Sequence, residues 1–172
     1  MLSNQLITLR AVEPQDLDFL YQCENALPIW VYGTNKEPIS YFALKEYVKL
    51  AGKTIYESKQ LRLMIVFNEN NRTVGTIDLY DFDHFNSRAG IGIYVEDEYQ
   101  HRGIGTATFQ LLSGYAFDFL NIHQLYAFVS ADNEHSIKAL VKAGFSPSAT
   151  LKEWQRAGKN FVDVIIFTKI NK

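Results

Sequence analysis

One short segment of the sequence, residues 100–106, combines residue types that suit binding of an anion. It lies between a predicted strand and a predicted helix, where the first N–H groups of the helix lack partners and the positive end of its dipole faces the loop. Gly103 and Gly105 carry no side chain that would keep an anion from those N–H groups, and Arg102 adds a positive charge. The segment therefore predicts a site for phosphate or pyrophosphate. We call it the phosphate loop, and its residues are Gln100, His101, Arg102, Gly103, Ile104, Gly105 and Thr106.

Spacing excludes two other kinds of phosphate-binding loop. A dinucleotide fingerprint needs a third glycine three residues after Gly105, and the chain has Thr108 there. A nucleotide P-loop needs a glycine five residues before its Gly-Lys-Thr, but Tyr47 stands at that distance before Gly52. On local sequence alone, a plain helix-entry turn remains the alternative interpretation of the two glycines.

Composition limits the other function classes. The 172 residues fit one domain, 1–172, and the net charge of −2 without a basic stripe argues against a nucleic-acid partner. No signal peptide and no apolar run of membrane-spanning length is visible, so we expect no membrane role. The single Cys23 suits a reducing compartment and a cytoplasmic location. The four histidines have no ligand-like spacing, and we expect no metal site.

The elements around the phosphate loop follow from hydrophobic periodicity. Apolar residues recur with helical spacing in four segments and alternate as in strands in most of the others. In 125–130 they occupy both faces, which predicts a central or parallel strand buried on both sides. Between the first two helices, Leu27 to Ser40 has the composition of a loop. The predicted strands are 6–11, 61–67, 73–81, 88–95, 125–130, 148–155 and 161–169, and the predicted helices are 14–25, 41–51, 104–120 and 134–143.

This order, β-α-α-β-β-β-α-β-α-β-β, predicts an α/β fold of the α+β kind with one mixed sheet. Short turns make the three strands from 61 to 95 an antiparallel meander, and one parallel crossover follows it. In the third of these strands, Gly90 and Gly92 share one face, which leaves room for another group to approach the backbone closely.

The phosphate loop and the segments that follow it resemble the GNAT acetyltransferase superfamily. The spacing Gln100-x-x-Gly103-x-Gly105 after a strand resembles the acetyl-CoA loop of that family. Residues 88–145 carry its motifs in the family's order, and Gly158 and Asp163 resemble the branch of ribosomal-protein N-terminal and polyamine acetyltransferases. The other matching segments are Glu98-Tyr99-Gln100, Tyr115-Ala116-Phe117, Leu120-Asn121, Leu125-Tyr126, Asn133-Glu134, Ser136-Ile137, and Lys142-x-Gly144-Phe145.

The resemblance implies that acetyl-CoA is the cosubstrate and predicts where it binds. Its pantetheine arm would lie along the strand that ends at Val95, contacting Ile93 and Tyr94, in a gap where this strand splays from the next. A backbone N–H near Tyr94 or Val95 would polarise the thioester carbonyl. Asn133 resembles the asparagine that contacts the arm, and a helix N-cap is its alternative role.

The chain departs from the family pattern at a catalytic position. Many members place a tyrosine, the general acid for the leaving thiolate, seven residues after that asparagine, where this chain has Leu140. In the ribosomal-protein branch a serine three residues after the asparagine is implicated instead, and Ser136 matches it; a plain serine in a first helical turn is the alternative. The amine must also lose a proton. Candidate bases are Asp78, Asp81, Glu96 and Asp97, with Glu96 first, although each could be a solvated strand end.

The predicted activity is transfer of an acetyl group from acetyl-CoA to a primary amine by direct attack in a ternary complex, with no acyl-Cys23 intermediate. A small-molecule amine, a polyamine or a protein N-terminus would be the acceptor, and the resemblance leaves a homodimer open. The alternative is a catalytically weak acyl-CoA-binding or structural module of the same fold. The loop 27–40 and the last hairpin would select the acceptor, with Trp30, Tyr32 and Tyr41 either lining its pocket or, as we favour, packing the loop onto the sheet.

Overall fold

The computed structural model describes residues 2–33 and 36–172, and its centre is one eight-stranded sheet. The strands are β1 Leu2–Ser3, β2 Ile7–Ala11, β3 Leu61–Phe67, β4 Arg72–Asp83, β5 Arg88–Val95, β6 Gln124–Ser130, β7 Ser146–Ala157 and β8 Asn160–Ile170. They lie in the order β1-β2-β3-β4-β5-β6-β8-β7, and all neighbours are antiparallel except β5 and β6. The predicted mixed sheet with one parallel crossover is therefore confirmed.

Six α-helices connect the strands within the described residues. They are α1 Leu17–Glu24, α2 Leu27–Tyr32, α3 Tyr41–Leu50, α4 Ile55–Ser58, α5 Ile104–Asp118 and α6 Glu134–Lys142. Side chains define several of the starts: the Ser40 hydroxyl accepts the Ala43 N–H at 3.1 Å, and Thr54 and Glu57 form a capping box. No helix of the described ranges is long and apolar enough to cross a membrane.

The prediction of a continuous loop from Leu27 to Ser40 was wrong, because α2 occupies its first part. A proline in the first turn suits a helix start, and Lys36 Nζ donates to the carbonyl oxygens of Trp30 and Val31 at 2.8 and 3.1 Å. These bonds satisfy carbonyl groups that the short helix leaves unpaired. Residues 34 and 35 of the predicted loop lie outside the described residues.

Two apolar clusters hold helices on the two faces of the sheet. The larger one joins α5 and α6 to the face formed by alternate residues of β3 to β6. The smaller one joins α1 and α3 to the opposite face through Leu20, Cys23, Leu44 and Met64. Representative members of the larger cluster are Ile77, Leu79, Ile91, Ile104, Phe109, Leu112, Leu125 and Leu140.

The parallel pair β5 and β6 separates soon after it begins. Only three residue pairs join the strands, Arg88 with Gln124, Ala89 with Leu125 and Gly90 with Tyr126. Beyond them β5 stays paired with β4 as far as Val95, and β6 stays paired with β8. The sheet therefore opens between residues 91–95 of β5 and 127–130 of β6. We call this opening the β5–β6 gap.

Candidate functional site

The phosphate loop leaves the first turn of α5 open to a ligand. Gly103 is the N-cap with φ of 80°, and among the described residues no side chain caps this helix start. Apart from its chain neighbours, a Cβ atom at Gly103 would meet none of the described residues within 4 Å, so the position has open space around it. A glycine suits both needs, because it adopts positive φ without strain and presents no side chain. The arrangement is competent to bind an anion.

Gln100 fixes the loop to the end of β5. Its Nε2 donates to the Val95 carbonyl oxygen at 3.1 Å and to Asp97 Oδ1 at 2.8 Å. His101 follows with φ of 61°, and this left-handed residue turns the chain toward Gly103. The loop therefore begins directly beside the wide end of the β5–β6 gap.

The remaining loop residues divide between charge and packing. Arg102 is exposed, and its guanidinium lies 5.3 Å from the centre of the Tyr99 ring, at the mouth of the loop. Ile104 is buried in the large core and anchors the start of α5. A Cβ atom at Gly105 would lie 3.7 Å from Ala139 Cβ, so this glycine faces α6 rather than the open space. Thr106 is half-buried in the first turn of the helix.

Alternation along β5 decides which backbone groups face the gap. The Glu96 N–H donates to the Val74 carbonyl at 2.9 Å, and the β4–β5 register continues without a break to Tyr80 and Gly90. Because bonded and outward-facing residues alternate in an antiparallel pair, Tyr94 turns its N–H toward β4. Ile93 and Val95 turn theirs into the gap.

The first turn of α6 forms the other wall of the site. Asn133 Oδ1 accepts the Ser136 N–H at 3.1 Å, so Asn133 caps the helix, and no partner of its Nδ2 is found among the described residues. The Ser136 side chain is half-buried, and its hydroxyl likewise has no hydrogen bond there. Leu140, at the position of the family tyrosine, is fully buried in the large core.

A histidine pair, which the sequence analysis missed, joins α6 to the phosphate loop. The rings of His101 and His135 meet edge to face with centroids 4.6 Å apart. Nothing in the sequence signals this contact, because the two residues belong to different segments. No group of three or more metal-ligating side chains is found in the parts of the chain that the structure describes.

Opposite these residues, the face beneath α1 and α3 buries a charged cluster that we call the Arg62 cluster. The Arg62 guanidinium pairs with Glu24 and donates to both oxygens of Asp78, at 2.7 and 3.1 Å, and Gln60 adds a third bond at 3.0 Å. Burial alone would lower the pKa of Arg62, but Asp78 and Glu24 raise it overall. Asp78, one of the candidate bases, is therefore the partner of a fixed cation.

Glu96 stands apart from that cluster at the end of β5. Its side chain is 24% exposed, Oε2 is buried without a hydrogen bond, and Arg72 approaches this atom only to 4.0 Å. Burial raises the pKa of Glu96, Arg72 opposes that effect and Glu98 adds to it. A carboxylate with few partners and a raised pKa is a competent general base.

The other candidate bases are placed less favourably. Asp97 Oδ1 accepts the bond from Gln100, and Asp81 is exposed near the opposite end of β5. Cys23 is buried, and burial raises the pKa of its thiol to about 12. A thiol that stays protonated is a poor nucleophile, so Cys23 is poorly suited to carrying an acyl group.

The predicted acceptor elements come together at the edge of this face. Gln155 of β7 donates to the Val31 carbonyl of α2, so the last hairpin touches the region after α1. Trp30 Nε1 donates to the Glu24 carbonyl at 3.1 Å, and the Tyr41 hydroxyl donates to Asp18 at 2.9 Å. Trp30 and Tyr41 are thus both bonded to α1, and the side chains of Tyr41 and Tyr32 are partly exposed.

Comparison with known proteins gives a consistent result. A family model described as an acetyltransferase (GNAT) domain matches residues 7–146. The spermidine N(1)-acetyltransferase of Escherichia coli K12 is 30% identical over 151 residues, which cover 88% of this chain and 78% of that protein. An uncharacterized N-acetyltransferase of Bacillus licheniformis, p20, is 25% identical over 171 residues, 99% of this chain and 96% of that one.

A solved structure shares the fold. The crystal structure of spermidine N-acetyltransferase from Vibrio cholerae in complex with CoA and spermine superposes with a TM-score of 0.86 and 24% identity. The match covers 97% of this chain and 96% of that chain. Similarity at this level of identity establishes the common architecture.

Proposed function

The chain belongs to the GNAT acetyltransferase family, and from that premise we propose that it transfers the acetyl group of acetyl-CoA to a primary amine by direct attack in a ternary complex. The observation that carries the proposal is the continuity between the open first turn of α5 and the β5–β6 gap, with Gln100 joining them through Val95. One end suits an anionic phosphate group, and the other leaves unpaired strand backbone for an extended chain.

The residues of the site fit acetyl-CoA on several observations. Gly103 leaves free space before the α5 N–H groups, Ile93 and Val95 turn theirs into the gap, and Asn133 Nδ2 lacks a partner among the described residues. When bound, acetyl-CoA supplies an activated acyl group on a thiol leaving group. We assign Arg102 and His101 to the phosphate end of the site.

Two side chains would handle protons. Glu96 would accept the proton of the incoming ammonium, because its carboxylate is partly buried and its ion pair with Arg72 is long, at 4.0 Å. Ser136 would donate a hydrogen bond at the leaving thiolate in place of the absent tyrosine. A thiol is weakly basic, with a pKa of about 8.5 in a free cysteine, so this assistance is worth less than it would be for an alkoxide.

The acceptor is a primary amine of the polyamine or protein N-terminus class. Polyamines come first in a test panel because two of the three relatives just described are spermidine N-acetyltransferases. Leu140 in place of the tyrosine supports a second candidate, a weakly active acyl-CoA-binding module. CoA release measured with spermidine, spermine and N-terminal peptides separates the two, because the binding module gives no turnover with any amine.

A substitution at Gly103 tests the cosubstrate site. Asparagine tolerates positive φ, so Gly103→Asn keeps the turn but places a side chain in the open space before α5. The substitution should remove two charge-assisted hydrogen bonds of at least 1.5 kcal/mol each, so CoA binding should weaken by about 3 kcal/mol. Calorimetry should then show a Kd that is more than 100-fold higher.

Gly158→Asn is the matched control. Gly158 also has positive φ, 63°, and open space around its Cβ position, but it lies in the turn between β7 and β8. The control should bind CoA as the parent does. Equal CoA affinity in Gly103→Asn, folded as judged by its melting temperature, would contradict the proposed site.

A further inference from the structure

Tyr80 fills the space that the two glycines of β5 leave on the face beneath α1 and α3. Tyr80 of β4 pairs with Gly90, and a Cβ atom on residue 90 would overlap the tyrosine ring. A Cβ atom on Gly92 would lie 3.6 Å from Tyr80 Cε1. The sequence predicted room for a close approach at these glycines, and the group that approaches at Gly90 is this ring of the protein itself.

The ring also reaches across β5 to β6. The Tyr80 ring meets the Tyr126 ring edge to face, with the two centroids 6.1 Å apart. Tyr126 is the last residue of β6 that pairs with β5. The phenol ring therefore lies at the narrow end of the β5–β6 gap, where the strands separate.

The closed end of the gap lies opposite the phosphate loop. Gln100 ties that loop to Val95 at the wide end, and the strands meet at Gly90. Residues 91–95 span roughly 17 Å at the rise of an extended strand. The Ile93 N–H, which faces the gap, lies partway along this span, so a thioester bound there would point its acyl group toward Tyr80.

We propose that Tyr80 limits the length of the acyl group that the enzyme accepts, so that its phenol ring at the narrow end of the gap admits acetyl and excludes longer chains. The inference rests on the proposed acyl-CoA site. The excluded ligands are unbranched acyl-CoA thioesters such as butyryl-CoA, which carries two more methylene groups than acetyl-CoA. A ring packed between the backbone of Gly90 and the Tyr126 ring has little freedom to move aside.

The test compares acetyl-CoA and butyryl-CoA on three variants of the intact chain. Tyr80→Ala removes the ring, Tyr80→Leu keeps a smaller apolar side chain in case the alanine variant unfolds, and Tyr80→Phe keeps the ring without its hydroxyl. Tyr56→Leu is the matched control, because Tyr56 packs on Phe82 and His84 in another part of the molecule. Calorimetry gives the Kd of each thioester without any acceptor, and kcat/KM follows with an active amine.

The parent, Tyr80→Phe and Tyr56→Leu should favour acetyl-CoA over butyryl-CoA by at least 10-fold in both measurements, since one methylene in a closed pocket is worth about 10- to 200-fold. Tyr80→Ala and Tyr80→Leu should reduce that preference by at least 10-fold. An unchanged preference in folded Tyr80→Ala or Tyr80→Leu, or no preference in the parent, would overturn the inference alone. Absence of CoA binding to the parent would overturn the proposed function as well.

Discussion

On the face of the sheet covered by α5 and α6, the buried side chains of the described residues are apolar apart from the hydroxyls of Tyr99, Thr108 and Ser113. The face covered by α1 and α3 has a core of four buried residues and, beside it, the Arg62 cluster and Glu96. The first face carries the phosphate loop through backbone geometry, and the second carries the ionisable side chains.

This difference separates two ways of building a site. Backbone N–H groups at a helix start need only a rigid support, which apolar packing under α5 supplies. A general base needs a particular charge environment. The other carboxylates near it must therefore be paired with cations. Arg62 pairs with both Glu24 and Asp78, and Glu96 has the longest ion pair of these three carboxylates, 4.0 Å to Arg72. We therefore expect substitutions that change charge to have the larger effects on the face covered by α1 and α3. Substitutions that change shape should have the larger effects on the face covered by α5 and α6.

The largest expected effect on folding comes from Arg62→Met. Glu24 and Asp78 would remain largely buried without their cation, and breaking such a pair typically costs 3–5 kcal/mol, so we expect a loss of about 3–5 kcal/mol in the free energy of unfolding. Urea denaturation with an unchanged m value measures it.

Lys138→Met is the matched control, because Lys138 and Glu134 form an exposed pair on α6. Its cost should stay below about 1 kcal/mol. A triple variant with Arg62→Met, Glu24→Gln and Asp78→Asn should regain part of the loss. If Arg62→Met costs no more than the control, the contrast between the faces fails.

A smaller effect, on catalysis, is expected from Glu96→Gln. Removal of a general base should lower kcat/KM for the amine by about 100- to 1,000-fold near neutral pH. The loss should shrink as the pH rises, because more of the amine is then already deprotonated. A pH–rate profile of both enzymes measures this, and an equal profile would remove Glu96 from the mechanism.

Glu96→Gln should also change the free energy of unfolding, and the direction follows from the shift in the Glu96 pKa. A raised pKa means that the folded state holds the Glu96 proton more tightly than the unfolded state does. The charged carboxylate therefore disfavours folding at neutral pH, and Glu96→Gln should be more stable than the parent there. The difference should vanish as the pH falls below the ordinary glutamate range, where both states are protonated.

Much of the fold was predictable because its signals are local. Gly103 marks the phosphate loop, and the helical spacing of Leu112 and Ala116 marks α5, all within a short stretch of sequence. By contrast, α2 depends on Lys36 capping a helix too short to show periodicity. Phe128 also differs from the prediction. The apolar residues on both faces of β6 predicted that both faces are buried, but the Phe128 side chain is partly exposed.

The site divides in the same way. The order of elements places the phosphate loop beside β5, but no local pattern shows that Arg62 takes Asp78 as its partner across neighbouring strands. The contact between Tyr80 and Gly90 likewise depends on the register of β4 and β5 and on rotamers. Sequence spacing indicates which residue types are available, and long-range pairing decides which of them remain free to act.

The smallest expected effect comes from Ser136→Ala, on the apolar face. Asn133 caps α6 through the Ser136 backbone N–H, so removing the hydroxyl leaves the helix start intact. Loss of a hydrogen bond to the leaving thiolate should lower kcat by about 10- to 100-fold, at or below the usual range for proton-transfer assistance. The KM for acetyl-CoA should change little, because that interaction forms only in the transition state.

Unlike the loss in Glu96→Gln, the loss in Ser136→Ala should be the same across the neutral pH range, since an alcohol does not titrate there. Ser136→Thr, which retains a hydroxyl, should recover part of the rate. Full kcat in Ser136→Ala with an active amine would show that the serine serves only the helix start and that the thiolate departs unaided.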